Sequence, residues 1–202
     1  YHLLFFFLRN YSSKKMKNIL LFASGSGTNA ENIILHFNKT NLAKVVAVFS
    51  NNPNAKVLER AKNLNVESFV FSREDFSAET VLNKVHEYKP ALIVLAGFLW
   101  KFPQNIIEAY PNKIINIHPA LLPKYGGKGM YGMNVHKAVL ENKELETGIT
   151  IHYIDEHYDE GDIIFQKSVS VKDCNSPEGI ASKIHQLEQD FFPKIIQQLL
   201  EK

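Results

Sequence analysis

An asparagine and a histidine stand two residues apart at the end of the apolar, β-branched run Ile114 to Pro119. Residues two apart on a strand project from the same face, so Asn116 and His118 would lie together. Pro119 has no N–H to donate and ends the strand. The pair offers one neutral hydrogen-bond donor and one side chain that can carry a proton near pH 7. A polar pair that only caps a strand has the same pattern. Other segments of the chain are therefore needed to distinguish a catalytic pair from a structural one.

A glycine-containing turn, Ser24 to Asn29, follows the first apolar run and opens a helical segment. Such a turn directs several backbone N–H groups and a helix N-terminus at one point, which makes an anion site. A simple strand-to-helix turn would use the same glycines. No Gly-Lys-Ser/Thr is present, and the second strand ends at Phe49 to Asn52 without the acid that holds a dinucleotide ribose. A phosphomonoester therefore fits better than NAD.

The segment Asp155 to Asp162 is acidic and holds five carboxylates and one histidine between two predicted strands. Its spacing gives no metal-ligand set, and His152 on the preceding strand has a possible cross-strand partner. One interpretation is a solvated hairpin loop. The other is that one of these carboxylates reaches Asn116 and His118 from the neighbouring strand and favours the charged imidazole.

The scaffold that must position these segments is predicted from alternating apolar runs and helical patterns, which indicate βαβ units. We expect an α/β fold: an open, mostly parallel twisted sheet of the Rossmann-like type, with helices on both faces and a C-terminal antiparallel extension. Continuously apolar runs indicate strands covered on both faces. The predicted strands are 19–23, 45–49, 68–71, 92–96, 114–117, 148–154 and 163–171, and the predicted helices are 30–37, 55–64, 80–88, 106–110, 135–141 and 177–200.

The 202 residues and 45% hydrophobic content suit one domain, which we expect to span 16–202. Residues 1–15 are predicted to be a non-native or disordered leader. Their apolar run, Leu3 to Leu8, is far shorter than the roughly 20 residues that span a bilayer, and the basic residues follow it rather than precede it. The net charge of +2 gives no nucleic-acid footprint. The one cysteine, Cys174, excludes an internal disulfide, and we expect a cytoplasmic protein.

Four motifs together resemble a known family. They are Ser24 to Asn29, Leu95-Ala-Gly-Phe98, Asn116-Ile-His-Pro-Ala-Leu-Leu-Pro-Lys-Tyr125, and Asp155-Glu156 with Asp159 and Gly161. From about Met16 onward the chain resembles the folate-dependent formyltransferases. The Asn-x-His-Pro to Asp block is specific to folate-dependent formyl transfer, and the glycine turn and stand-alone length favour the phosphoribosylglycinamide formyltransferases within that superfamily.

This resemblance implies a reaction and its residues. A formyl group would pass from 10-formyltetrahydrofolate to the amine of N1-(5-phospho-D-ribosyl)glycinamide in purine (IMP) biosynthesis, without a metal. Asn116 and His118 would stabilise a tetrahedral oxyanion, and Asp159 would orient a water for proton transfer and keep His118 charged. The resemblance assigns the ribonucleotide to Gly27, Thr28, Asn29, His185 and Glu188. It assigns the folate to Arg73, Leu99, Trp100, Lys101, Phe102, Asn116, Asp155 and Asp159.

Two segments depart from the family pattern. The loop from Lys124 to His136 is longer and richer in glycine than in the commoner members, and Asn134 replaces a histidine there. This loop is a candidate lid. Trp100 and Lys101 replace a Met-Arg pair, which bears on the preference for the folate tail.

Three other functions are compatible with parts of this sequence pattern. A formyltetrahydrofolate deformylase would use water as the acceptor, and a methionyl-tRNA formyltransferase would need a further C-terminal domain for tRNA. A non-catalytic nucleotide or phosphate sensor could use the same scaffold, but it has no need of an oxyanion donor beside a proton carrier. We expect small-molecule substrates, no nucleic acid, no membrane, and a monomer or homodimer.

Overall fold

The computed structural model describes residues 15–202, so residues 1–14 lie outside it and the predicted boundary at Met16 stays a prediction. Every predicted strand and helix is present, with ends shifted by a few residues. The strands are β1 (Lys17–Phe22), β2 (Ala43–Ser50), β3 (Glu67–Val70), β4 (Leu92–Leu95), β5 (Ile114–His118), β6 (Glu146–Tyr153) and β7 (Ile163–Ser170). The helices are α1 (Thr28–Phe37), α2 (Lys56–Asn63), α3 (Arg73–Ser77), α4 (Glu79–Tyr88), α5 (Gln104–Ala109), α6 (Met133–Glu141) and α7 (Pro177–Glu201).

The seven strands form one sheet in the order β3-β2-β1-β4-β5-β6-β7. The first five strands pair in parallel, and β6 and β7 pair antiparallel. The mostly parallel sheet with an antiparallel extension is therefore confirmed. The chain builds outward from β1 to β3 and then restarts beside β1 with β4, so the strand order reverses between β1 and β4. Ligands bind at such a reversal, outside the carboxyl ends of the strands.

Helices cover both faces of the sheet, as predicted, and alternate residues of β1, β2, β4 and β5 enter different apolar cores. Ile19 and Leu21 of β1 face a core shared with α1, α2, α6 and α7. Leu20 and Phe22 face a second core, rich in phenylalanine, shared with α3, α4 and α5. Ile19 to Phe22 are fully buried on both faces of β1, which explains the continuously apolar sequence of this part of the strand.

Helix α3 was not predicted, because its five residues are too few to show a helical period. A capping box holds it in place. The Ser72 side chain accepts from the Asp75 N–H, and the Asp75 carboxylate accepts from the Ser72 N–H. Phe76 anchors the helix to the phenylalanine-rich core.

A buried polar network fixes the turn that follows β5. Thr150 of β6 accepts a hydrogen bond from the Leu122 N–H (3.0 Å) and donates one to the Ala120 carbonyl (2.7 Å). Gln166 of β7 donates to both Thr150 Oγ1 (2.9 Å) and the Leu122 carbonyl (3.0 Å). The antiparallel extension thus holds the chain at the point where β5 ends, beside His118. Within the described part of the chain, no helix is long and apolar enough to cross a membrane.

Replacing Thr150 by Val should lower the free energy of unfolding by about 1–3 kcal/mol, because it leaves the buried Leu122 N–H unpaired without creating a cavity. Urea unfolding followed by circular dichroism measures this. Thr147→Val is the matched control, since Thr147 is also buried on β6 but has no side-chain hydrogen bond to another described residue. An equal loss in both variants would contradict the role given to the network.

Candidate active site

A cavity of about 850 Å³ opens at the carboxyl ends of β1, β4 and β5. Its size is in the range of small-molecule sites, and it lies where the strand order reverses. The antiparallel extension and α7 close it on the far side. The lining residues are 25–29, 95–102, 116–119, 127–132, 136, 154, 155, 157–159, 181, 184, 185 and 188.

The Asp159 carboxylate lies between two buried imidazoles. Oδ2 is 3.6 Å from Nδ1 of His118, and Oδ1 is 3.6 Å from Nε2 of His152. Oδ2 also accepts a hydrogen bond from the Gly127 N–H (3.0 Å). Of the five carboxylates in the acidic loop, Asp159 is therefore the one that reaches the strand-end pair, as the resemblance implies. Its backbone has a positive φ of 58°, which turns the side chain back into the cavity.

The two imidazoles have different hydrogen-bond partners. Nε2 of His118 donates to the Tyr125 carbonyl oxygen (2.7 Å). Nδ1 faces the Asp159 carboxylate at 3.6 Å, which is longer than a hydrogen bond, and lies at the cavity wall. In His152, Nδ1 donates to the Tyr153 carbonyl (2.9 Å), and burial lowers the pKa of the ring. His152 is therefore assigned as the neutral tautomer with a lone pair on Nε2.

That lone pair orients Asn116. The Asn116 Nδ2 group donates to Nε2 of His152 (3.2 Å), because Asn116 and His152 are direct partners across β5 and β6. With its Nδ2 group held on this side, Asn116 presents its amide beside His118 on the cavity wall. The arrangement places the Asn116 amide and the His118 imidazole next to each other, so that two side-chain donors face one point of the cavity.

The turn after β1 has the geometry of an anion site. Gly27 precedes α1 with φ of 75°, and no side chain caps the first N–H groups of the helix. A Cβ on Gly27 would lie 2.5 Å from Val57, so the close approach of α2 also requires glycine there. From outside the cavity, Arg60 donates to the Ser26 carbonyl (2.9 Å) and pairs with Glu31, which stiffens the turn.

The Asn29 side chain is used within the protein. Its Nδ2 group donates to Glu188 Oε2 (2.9 Å) and its Oδ1 accepts from Gln189 (3.1 Å), so it fastens the start of α1 to α7. His185 Nδ1 is 3.4 Å from the same Glu188 oxygen, and this hydrogen bond raises the pKa of His185. The structure thus brings the predicted ribonucleotide residues together. The Asn29 side chain, however, faces Glu188, which leaves its backbone N–H to serve an anion.

The predicted folate residues are only partly gathered at the cavity. Leu99, Trp100, Lys101 and Phe102 line it, as do Asp155 and Asp159. Arg73 does not line it; its guanidinium lies 4.4 Å above the Trp100 ring. Lys101 lies over the Tyr158 ring at 5.8 Å, so Trp100 and Lys101 each have a cation–π partner that favours one direction of the side chain.

Two histidines were missed by the sequence analysis: His152, buried behind the cavity wall, and His136, which lines the cavity. His152 was noted only as a possible cross-strand partner, although the register of β5 against β6 puts it opposite Asn116. His136, at the start of α6, is buried with an unpaired Nδ1, and burial lowers its pKa. Residues 15–202 contain no group of three or more His, Cys, Asp or Glu side chains arranged for a metal ion.

Known proteins with a related sequence or structure were found. A family model described as formyl transferase matches residues 17–196. The phosphoribosylglycinamide formyltransferase of Bacillus subtilis is 35% identical over 191 residues, which cover 92% of this chain and 95% of the relative. The chloroplastic phosphoribosylglycinamide formyltransferase of Arabidopsis thaliana is 32% identical, covering 93% of this chain and 67% of the relative.

Solved structures of related proteins have a similar fold. The phosphoribosylglycinamide formyltransferase of Anaplasma phagocytophilum superposes with a TM-score of 0.84 at 29% identity, covering 93% of this chain and 88% of that one. The glycinamide ribonucleotide transformylase 1 of Geobacillus kaustophilus has a TM-score of 0.83 at 34% identity, covering 92% and 99%. The match of the family model to nearly all described residues, with the same fold in these relatives, shows that the chain belongs to the formyl transferase family.

Proposed function

We propose that this protein transfers the formyl group of 10-formyltetrahydrofolate to the amine of N1-(5-phospho-D-ribosyl)glycinamide, the formylation step of purine biosynthesis. The observation that carries the proposal is the shared cavity. A backbone anion site at the start of α1 and the Asn116, His118 and Asp159 cluster line the same space. A phosphorylated acceptor can therefore be held with its amine near an oxyanion site. The names of the relatives support the same acceptor.

Three residues carry the chemistry in this proposal. The amine attacks the formyl carbon, and the carbonyl oxygen becomes an oxyanion that accepts hydrogen bonds from Asn116 and from protonated His118. Collapse of the intermediate breaks the bond to the folate nitrogen. The amine loses one proton and the folate nitrogen gains one, and a water oriented by Asp159 carries it. The hydrogen bond from the Gly127 N–H and the position of Asp159 between two imidazoles keep this carboxylate where both steps need it.

The proposal also assigns residues to the binding of the ribonucleotide and of the folate. The phosphate is held by the N–H groups at Gly27, Thr28 and Asn29, and the sugar or the glycinamide lies against His185 and Glu188 of α7. The folate ring packs against Leu99, Trp100, Lys101 and Phe102, and its polar edge meets the backbone of Asp155 to Asp159. Arg73 takes part through its contact with Trp100. A cytoplasmic location, small-molecule partners only, and a monomer or homodimer stay predictions of the sequence.

The proposal is tested by incubating the purified protein with 10-formyltetrahydrofolate, with and without the ribonucleotide. We expect loss of the formyl-folate only when the ribonucleotide is present, with formylated ribonucleotide as product. Absorbance of the released tetrahydrofolate and mass spectrometry of the product measure both. Loss without ribonucleotide, with release of formate, would instead indicate a deformylase, and loss in neither tube would indicate a sensor.

Replacing His118 by Ala or Asp159 by Asn should each lower kcat by on the order of 10²-fold or more, because each removes a group that acts in the transition state. Steady-state kinetics on variants with unchanged circular dichroism give the comparison. His86→Ala, which alters a surface histidine bonded to Tyr110, is the control. Unchanged kcat in a folded His118 or Asp159 variant would remove that residue from the mechanism.

Replacing Gly27 by Ala should raise the KM for the ribonucleotide about 10- to 100-fold, because its Cβ would press on Val57 and move N–H groups that bind a charged phosphate. The dissociation constant for the folate should not change. Gly25→Ala tests the specificity of the effect, since a Cβ there meets no atom within 4 Å, and a much smaller change is expected. If calorimetry finds wild-type affinity for the ribonucleotide in Gly27→Ala, the phosphate is not held at this turn.

A further inference from the structure

The carbonyl group that accepts from His118 belongs to a residue outside the cavity wall. Tyr125 lies after the turn that ends β5, and its carbonyl oxygen is 2.7 Å from Nε2 of His118. Two residues later, the Gly127 N–H donates to the Asp159 carboxylate (3.0 Å). The short segment 125–127 therefore contacts both members of the His118 and Asp159 pair through its main chain.

The backbone of Tyr125 is in an unfavourable conformation. Its φ is 58°, in the left-handed region that costs free energy for a residue with a Cβ. The sequence continues with Gly126 and Gly127, which could adopt such angles without this cost. A non-glycine residue persists in this region only when its surroundings hold it there.

Contacts of the Tyr125 side chain hold its backbone in this conformation. The hydroxyl donates to Oε1 of Glu144, in the turn between α6 and β6, at 2.9 Å. Lys124 donates to the same oxygen from the solvent side, also at 2.9 Å. Burial and the hydrogen bond to Glu144 raise the pKa of Tyr125, and the bonds from Lys124 and Tyr125 lower the pKa of Glu144. The ring itself packs against the apolar core below α6.

We infer that Tyr125 and Glu144 are positioning residues for the formyl transfer: their hydrogen bond fixes the Tyr125 carbonyl, which in turn fixes the ring of His118. This inference rests on the proposed function. His118 needs an acceptor on Nε2 so that Nδ1 stays directed at Asp159 and the reacting carbonyl. The main-chain carbonyl of Tyr125 supplies it, and among residues 15–202 no side chain is hydrogen-bonded to this nitrogen.

The first test measures kcat and both KM values for Tyr125→Phe, Glu144→Ala and Glu144→Gln. Tyr125→Phe and Glu144→Ala should each lower kcat about 10-fold, less than the roughly 100-fold that a 1 Å misplacement can cost, with both KM values within about twofold of wild type. Glu144→Gln keeps an oxygen that can accept from the hydroxyl and should restore most of kcat. Lys124→Ala and Tyr110→Phe, the latter losing a hydroxyl bonded to His86, are controls expected to stay within about twofold.

A second test separates positioning from general damage to the fold. The double variant Tyr125→Phe/Glu144→Ala should lose no more kcat than either single variant, because both act through one hydrogen bond. In a His118→Ala background, Tyr125→Phe should cause no further loss. Additive losses, or an equal loss in the absence of His118, would overturn the inference.

A third measurement does not depend on the reaction. In unliganded protein with ¹⁵N-labelled histidine, His118 should show a hydrogen-bonded Nε2 proton by NMR, assigned from its absence in His118→Ala. We expect this signal to be lost or shifted in Tyr125→Phe and Glu144→Ala and kept in Glu144→Gln. Unchanged signals with wild-type kcat would refute the positioning role. If the variants alter the His118 signal but the wild-type protein does not formylate the ribonucleotide, the role of Tyr125 and Glu144 in holding His118 stands and the proposed function is refuted.

Discussion

The site depends on one partly buried carboxylate, that of Asp159. Asp159 accepts from the Gly127 N–H and lies 3.6 Å from a nitrogen of His118 and 3.6 Å from a nitrogen of His152. A carboxylate that is largely withdrawn from water needs hydrogen-bond donors, and Asp159 has the Gly127 N–H and the neighbouring His118 ring, which it orients in turn. The left-handed backbone at Asp159, the length of the loop between β6 and β7, and the end of β5 all serve to bring these groups together.

The strand order of the sheet brings the groups around Asp159 together. The restart of the sheet beside β1 places the turn before α1 and the segment after β4 next to each other, and a hydrogen bond from the Leu99 N–H to the Ser24 hydroxyl (3.0 Å) joins them. The antiparallel strands β6 and β7 then bring the acidic loop and Thr150 to the end of β5. The parallel half therefore provides binding surfaces, and the antiparallel half provides the carboxylate and the buried histidine.

The strands of the parallel sheet and the pairing of Asn116 with His118 could be predicted from the sequence, because they depend on short-range patterns. Continuous apolar runs gave the covered parallel strands, and the two-residue spacing of Asn116 and His118 gave a shared face. What depends on register or on long-range contacts could not be predicted. Residue type and spacing in the acidic loop do not distinguish Asp159 from its neighbours; only the family resemblance singled it out, and the backbone that turns its side chain inward gives the physical reason. Nor does sequence show that the Asn29 side chain is bonded to Glu188 of a helix that begins 148 residues later, at Pro177.

The central claim is that the formyl group passes directly from the folate to the ribonucleotide beside Asn116, His118 and Asp159. The most direct measurement is a single turnover with ¹³C-formyl-labelled 10-formyltetrahydrofolate, the ribonucleotide and an excess of unlabelled formate, followed by mass spectrometry of the product. Direct transfer predicts that all of the formylated ribonucleotide carries ¹³C. A product without ¹³C, or label recovered as free formate, would contradict the account.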